Sequence, residues 1–299
     1  MTAELADNEV LSVLRTACLA VGLDPEGAEL LGLSENAIYK LPGDVVVRIS
    51  RTGQRTAARR EVDVARWLEN SGIQAVQVIP HIEQPVEVDG RSVTFWRELP
   101  PHQHGTPAQV AAALKQLHAL APPADFTLGE LAPFVRLEER IEAASILSDG
   151  DRQWMREYLA ELRQRWDELP EGLPWCVIHG DAWVGNVVST NDGRVILLDL
   201  ERTSIGPPEW DLVHTAIKQT SFGWISAKQY AEFCDVYGYD VTDWVGFGLL
   251  RDIREFRMTT MAAQSATENP KDREQAAHRL ACIRSDCGPR PWSGWRALS

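Results

Sequence analysis

The stretch His179-Gly-Asp181-Ala-Trp-Val-Gly-Asn186 lies directly behind a short apolar run, and a further acidic residue, Asp199, ends the next apolar segment. Between Asn186 and Asp199 the chain reads as a hairpin, because Asn191-Asp192-Gly193 supplies turn residues between two apolar strands. With the turn centred between Asp192 and Gly193, Asn186 falls opposite Asp199. An amide oxygen and a carboxylate then stand side by side at the open end of the hairpin. These are ligand types that suit Mg²⁺, whose shell phosphate oxygens and water complete, so a metal–nucleotide site fits. Asp181, on the loop just upstream, lies near that metal without having to ligate it, which is where a base for a substrate hydroxyl belongs. A hairpin cap or a turn accounts for any one of the three residues; the set at this spacing points to function. His179, a lone histidine in an apolar context, reads as a hydrogen-bonded structural residue.

The elements that position these residues fall into two parts. From Asn36 to about Leu99 the order is strand, turn, strand, helix, strand, strand. "NAIYKL" and "DVVVRIS" flank Pro42-Gly43-Asp44, "PVEVDGRSVTFW" turns at Asp89-Gly90, and "TAARREVDVARWLENSG" has helical spacing closed by Gly72. An amphipathic N-terminal helix with Val10, Leu11, Leu14 and Cys18 on one stripe precedes them. The rest is mostly helix, interrupted by one β-island, "WCVIHG" and the hairpin. Prolines in "WRELPPHQHGTP" suit a linker. The class is α+β, with a small antiparallel lobe over 1–100 and a larger, mainly helical lobe over 101–299. Within "DVVVRIS", Val45, Val47 and Ile49 face one way while Val46 and Arg48 share the other face. A side chain able to roof a nucleotide base thus sits beside a cation able to reach phosphates. On the following helix Glu61 shares an apolar face with Val64, Ala65 and Leu68. A carboxylate there needs a partner, and Arg48 is the candidate.

"HGDAWVGN" (179–186) followed by "LLDLE" (197–201) resembles the H-G-D-x-x-x-x-N and I-D-[FW]-[EG] pair of the aminoglycoside phosphotransferase family, whose members share the bilobal protein-kinase-like fold. The resemblance is collinear from about residue 32 to about residue 285. It implies ATP- or GTP-dependent phosphorylation of a hydroxyl, with Asp181 positioning and deprotonating that hydroxyl and Asn186 and Asp199 holding Mg²⁺ on the phosphates. It also implies that Arg48 and Glu61 form the strand-cation to helix-glutamate pair of kinases, with Arg where protein kinases use Lys, and that Glu98 and Leu99 contact the base through their backbone. "LGLSENAIYKL" stands where a phosphate-covering loop belongs, but Gly32 is its only glycine, and Ser34 and Asn36 are the candidate donors. Asp211 follows Asp199 after only eleven intervening residues, which leaves no room for a switched activation segment and favours a small-molecule acceptor. Asp211 itself is expected to cap a helix or brace the catalytic loop.

Acceptor contacts are expected from Asp252 and Glu255 in "GLLRDIREFRMTTM", with Glu201 as an outlying candidate, although the flanking Arg251, Arg254 and Arg257 read more readily as partners in solvated ion pairs. The net charge of −13 argues against nucleic acid and for a small cationic acceptor, an antibiotic such as an aminoglycoside. A metabolite kinase acting on choline, homoserine or a sugar-like compound is the alternative, and a nucleotide-binding module without turnover the second. Five cysteines with no paired C-x-x-C spacing read as reduced thiols of a cytoplasmic protein; Cys282 and Cys287 lack ligand partners nearby, so no zinc site is expected. No membrane partner is indicated, and the expected state is a monomer or weak dimer.

Overall fold

Strand alternation builds the first sheet. β2 (Ala37–Leu41) and β3 (Val45–Thr52) meet across the Pro42-Gly43-Asp44 turn, with Leu41 opposite Val45 and Ile38 opposite Arg48. β4 (Val86–Val88) and β5 (Arg91–Arg97) close around Asp89 and Gly90, both at positive φ, as a two-residue hairpin requires. β1 (Glu29–Leu33), which the sequence pattern did not disclose, adds an edge, and the antiparallel order is β1-β2-β3-β5-β4. The computed structural model describes residues 3–33, 36–296 and 298. Helix α1 (Ala3–Ala20) sets Val10, Val13, Leu14, Ala17 and Cys18 into one core with Tyr39, Val47, Ile49, Val93 and Phe95. That leaves the alternate face, with Val46 and Arg48, to meet α2 (Arg55–Asn70), which buries Glu61, Val64, Ala65 and Leu68.

A second sheet orders β6 (His102–His104), β8 (Val187–Thr190) and β9 (Val195–Leu197). The outer edge of β9 takes the segment after α2: Leu197 N donates to Gln74 O (3.0 Å) and Val76 N to Leu197 O (2.9 Å). Arg97 N donates to Gln77 O at 2.8 Å, tying the same segment to β5. These bonds explain why the compact units are not contiguous in sequence. Met1–Gly105, Pro123–Thr127 and Val184–Thr203 form one, so the hairpin clusters with the N-terminal elements and the break expected at residue 100 falls after Gly105.

The other unit comprises Thr106–Pro122, Leu128–Trp183 and Ser204–Ser299. It holds α3 (Pro107–His118), α4 (Leu137–Ala143), α5 (Asp149–Asp167), β7 (Cys176–Ile178), β10 (Ser204–Gly206), α6 (Glu209–Thr220), α7 (Ala227–Tyr237), α8 (Phe247–Glu268) and α9 (Arg273–Ile283). A capping box of Thr106 and Gln109 opens α3, and another of Ser226 and Gln229 opens α7. "WCVIHG" supplies β7, which pairs with β10 (Ile178 opposite Ser204) rather than with the hairpin. Among the described residues no helix is long and apolar enough to cross a membrane.

Candidate active site

The hairpin register differs by one residue from the expected one. Val187 pairs with Leu197, and Leu198 N donates to Asn186 O at 2.9 Å, so Asn186 stands opposite Leu198 and not Asp199. Turn length is the cause: Thr190 N donates to Arg194 O (2.9 Å), leaving a loop of three residues, Asn191-Asp192-Gly193, where two were expected. A one-residue slip exchanges the faces of a strand. Asp199 is removed from that alternation because the chain leaves the ladder there, with φ 54° and ψ 64°. This left-handed conformation costs a non-glycine residue about 1–3 kcal/mol and is characteristic of functional sites. It leaves the carboxylate within electrostatic reach of both Arg48 and Glu61.

Arg48 is the hub of this cluster. Its Nη1 donates to both carboxylate oxygens of Glu61 at 2.7 Å, and Nη2 donates to Glu201 Oε2 at 3.3 Å. With the Asn36 amide oriented to satisfy its neighbours, Asn36 Oδ1 accepts from Arg48 Nε (3.0 Å) and Nη2 (2.8 Å). A guanidinium serves three partners in one plane; an ammonium would lack the fork. The two ion-pair partners respond differently because Glu61 is the more buried, 6% exposed against 21% for Arg48. Burial pushes the Glu61 carboxyl up to about 7, Asp199 and Glu201 push it further, and Arg48 opposes them. Burial disfavours the Arg48 cation, but Glu61, Glu201 and Asp199 outweigh it and hold Arg48 more firmly protonated. Glu61, Glu201 and Asp199 thus gather carboxylate oxygens around Arg48, a donor type that suits a hard divalent cation.

Val46, half-buried on the Arg48 face, pairs with Lys40 on one side and Trp96 on the other. Lys40 Nζ lies 2.7 Å from Glu98 Oε1. Glu98 N donates to Asp44 O at 2.8 Å, so of the backbone groups expected to meet the base its N–H is already used. An open cleft of about 700 Å³ along the linker touches Glu98, Leu99 and Ile196 but neither Val46 nor Arg48. Ser34 lies outside the described residues. Glu201, expected as an acceptor contact, lies against Arg48, and its backbone oxygen accepts from Arg60 Nη2 at 2.5 Å.

In the other unit, buried Asp211 braces the loop that carries Asp181. It accepts from His179 N (2.7 Å) and Gly180 N (2.8 Å) and contacts His118 Nε2 at 3.1 Å. Trp210 Nε1 (3.0 Å) and Arg254 Nη2 (3.1 Å) both donate to Gly180 O. His179 is buried, and its Nδ1 accepts from Asp181 N at 3.3 Å, a structural role. Burial alone would raise the Asp211 carboxyl, but His118, His179 and Arg254 hold it below the ordinary carboxylate value. Asp211→Ala orphans two buried N–H donors and is expected to destabilise the protein by about 3–5 kcal/mol. Because the folded carboxyl is depressed, the charge contributes stability above the unfolded value of about 4 and loses it as pH falls through the folded one. Thermal melts of wild type and variant between pH 7 and pH 3 check this: the gap should hold to about pH 4 and narrow below it.

Beside Asp181 stand His214 and Lys218, which had no part in the sequence reading, and Arg254, expected in a solvated ion pair but buried here. Arg254 Nη1 is 3.7 Å and His214 Nδ1 3.6 Å from Asp181 Oδ1, both beyond hydrogen-bond range. Burial, with Arg254 and Lys218 nearby, keeps His214 neutral, so its contact is no ion pair. Lys218 is buried with Nζ 4.5 Å from the centre of the Trp183 ring; burial lowers it to about 8, Arg254 adds to this and Asp181 opposes. The available signal was the pair His214 and Lys218, one turn apart on α6.

Asp252 and Glu255 are occupied by arginines. Asp252 lies 3.0 Å from Arg165, 2.9 Å from Arg251 and 3.4 Å from Arg290. Glu255, 1% exposed, is 2.5 Å from Arg290. The carboxylates are ion-paired, Glu255 buried and its arginine partners partly exposed, and guanidinium groups stand where an acceptor ammonium was expected.

Fold and site together define a small-molecule phosphotransferase. The chain belongs to the phosphotransferase enzyme family, whose family model matches residues 29–250. No curated protein sequence matches it. Among solved structures it is similar to amicoumacin kinase hAmiN in complex with AMP-PNP, Ca²⁺ and Ami (16% identity, 97% of each chain, TM-score 0.70). It is also similar to choline kinase LicA from Streptococcus pneumoniae (15% identity, 92% of this chain and 99% of that one, TM-score 0.65). A third is the aminoglycoside phosphotransferase APH(3'')-Id from Streptomyces rimosus (21% identity, 85% and 98%, TM-score 0.61). At these identities the likeness is one of fold, the protein-kinase-like α+β fold expected from the motifs.

Proposed function

We propose that the protein transfers the γ-phosphoryl group of ATP or GTP to a hydroxyl of a small molecule in a Mg²⁺-dependent reaction. The observation that carries this reading is the Arg48 cluster, a guanidinium fixed by Glu61, Glu201 and Asn36 on the face that Val46 shares, with Asp199 in electrostatic reach. Arg48 binds phosphate oxygens, Val46 covers the base, and the Glu98 carbonyl and Leu99 amide bond its edge. Asn186 and Asp199 hold Mg²⁺, which when bound neutralises charge on the β- and γ-phosphates. Asp181 takes the hydroxyl proton as the acceptor oxygen bonds to the γ-phosphorus and the bond to the bridging oxygen breaks. Thermal-shift measurements with nucleotide and Mg²⁺, separately and together, followed by a phosphate-transfer screen over antibiotics and metabolites, test the reading. The largest shift is expected with both present, and no nucleotide shift at all would sink it.

Lys218 and Arg254 supply positive charge beside Asp181, where they offset charge on the transferring group. Lys218 carries its proton below about pH 8, so kcat is expected to fall as pH rises through that value. Lys218→Met should lower kcat at pH 7 by about 10²-fold and abolish this alkaline limb. An unchanged limb in the variant would assign it to another group.

The acceptor has two readings. The net charge of −13 favours a cationic antibiotic of aminoglycoside type. Lys218 and Arg254 beside Asp181 favour a metabolite whose reacting hydroxyl lies away from any ammonium. Comparing kcat/KM for cationic, neutral and anionic hydroxyl compounds at low and high salt separates them. A cationic acceptor shows a KM that rises with salt, because attraction is screened over about 8 Å at physiological ionic strength; a salt-insensitive preference for neutral acceptors selects the metabolite.

A further inference from the structure

The C-terminal segment brings together three soft ligands that phosphoryl transfer does not use. His278 and Cys282 stand four residues apart on α9, hence on one face. Cys287 follows the helix end, where Ser285 at φ 69° and the bond from Asp286 N to Ala281 O (2.9 Å) turn the chain back. The ligand atoms of the three lie within 4.8 Å of one another, and Cys282 Sγ is 3.6 Å from His278 Nε2. Tetrahedral zinc, with bonds of about 2.3 Å to sulfur and about 2.0 Å to nitrogen, sets neighbouring ligands about 3.5–3.8 Å apart. The His278–Cys282 edge already has that length, and closure requires only a small inward movement of the exposed Cys287.

The indole of Trp295 points the same way. Its Nε1–H is buried beside Cys282 and has no acceptor among the hydrogen bonds of the described residues. Donors of this kind orient and tune metal-bound sulfur. The tail is pressed against the imidazole: a Cβ at Gly294, which has φ 91°, would fall 3.1 Å from His278 Nε2. Two groups must change partners on metal binding. His278 Nε2 gives up its 2.9 Å contact with Ser293 O, an exposed residue that water can take over. Metal binding displaces the proton of each ligating thiol, so affinity rises with pH.

We propose that His278, Cys282 and Cys287 form a Zn²⁺ site, its fourth position open to water, that fastens the C-terminal tail to α9. The sequence expectation of no zinc site rested on cysteine spacing and on a lack of ligand partners near Cys282 and Cys287; His278, four residues before Cys282 on α9, is such a partner. The tail is already tied to α9 by Gln275 Nε2 donating to Gly294 O (2.8 Å) and Arg279 Nη2 to Arg296 O (2.6 Å), so the metal would close an existing clasp.

Chelator-treated, reduced full-length protein titrated with Zn²⁺ against a chromophoric chelator tests the site, with Co²⁺ as an optical reporter of sulfur ligation. One equivalent should bind, Zn²⁺ should raise Tm, and the Co²⁺ adduct should show sulfur-to-metal charge transfer. Cys287→Ser, at an exposed position, and His278→Ala should each weaken binding by about 100-fold or more, and Trp295→Phe by about tenfold. The Tm increment should vanish in Cys287→Ser, which tests the site even where Cys282→Ser fails to fold. Absence of stoichiometric binding by the reduced protein overturns the proposal, as does wild-type affinity in Cys287→Ser or a Cys282–Cys287 disulfide that Zn²⁺ does not compete with.

Discussion

Asp181→Asn is expected to lower kcat by about two to four orders of magnitude while nucleotide binding persists. The amide has the shape of the carboxylate, and the loop around it is held by bonds that do not involve the Asp181 side chain: Asp211 on the His179 and Gly180 amides, Trp210 and Arg254 on the Gly180 carbonyl. Geometry therefore survives and only proton acceptance is lost. The Arg48 cluster belongs to the other compact unit and is untouched, so the thermal shift with nucleotide should remain. A second signature follows from Lys218. Asp181 favours its charged form against burial, so removing the carboxylate lets Lys218 lose its proton more readily, and the alkaline limb of the residual activity moves to lower pH. A loss of about tenfold or less would mean that Asp181 only orients the loop and that the neighbouring cations carry the transition state.

The parts of this site legible in the sequence are those set by local periodicity. Alternation along β3 places Arg48 with Val46, and the helical repeat of α2 buries Glu61 among Val64, Ala65 and Leu68; the pair then follows because neither charge can be buried alone. The hairpin was read one residue out of register because Asn-Asp-Gly suits a two-residue and a three-residue loop alike, and only the Thr190–Arg194 bond decides between them. Lys218 and Arg254 were hidden for a different reason. Each is a cation on a helix whose meaning depends on which carboxylate tertiary packing brings close, and no spacing along α6 or α8 encodes Asp181. The same holds for Arg290, which crosses from the tail to close on Glu255. His278 and Cys282 show the reverse failure: their spacing is local and readable, but α9 has no marked apolar stripe, burying Gln275 and Arg279 beside Ala276 and Leu280, to declare itself a helix.

Asp199→Asn is expected to abolish the Mg²⁺-dependent part of nucleotide stabilisation and to lower kcat by about 10³-fold or more, the several kcal/mol a metal contributes to a phosphoryl-transfer transition state. Asn tolerates the left-handed conformation at this position, φ 54° and ψ 64°, so unfolding should stay cooperative and near the wild-type temperature. Asp199→Ala removes the same charge but loses that tolerance, so it should share the metal defect and melt somewhat lower; the contrast separates the backbone role from the ligand role. Removing the carboxylate also takes away one of the negative charges that crowd Glu61 and would repel phosphates, so nucleotide binding without Mg²⁺ should be equal to wild type or tighter. Titrating Mg²⁺ at fixed nucleotide while following Tm reads both effects. If the combined shift with nucleotide and Mg²⁺ is undiminished in Asp199→Asn, the cation is held elsewhere, and the carboxylates around Arg48 serve only to keep that guanidinium in place.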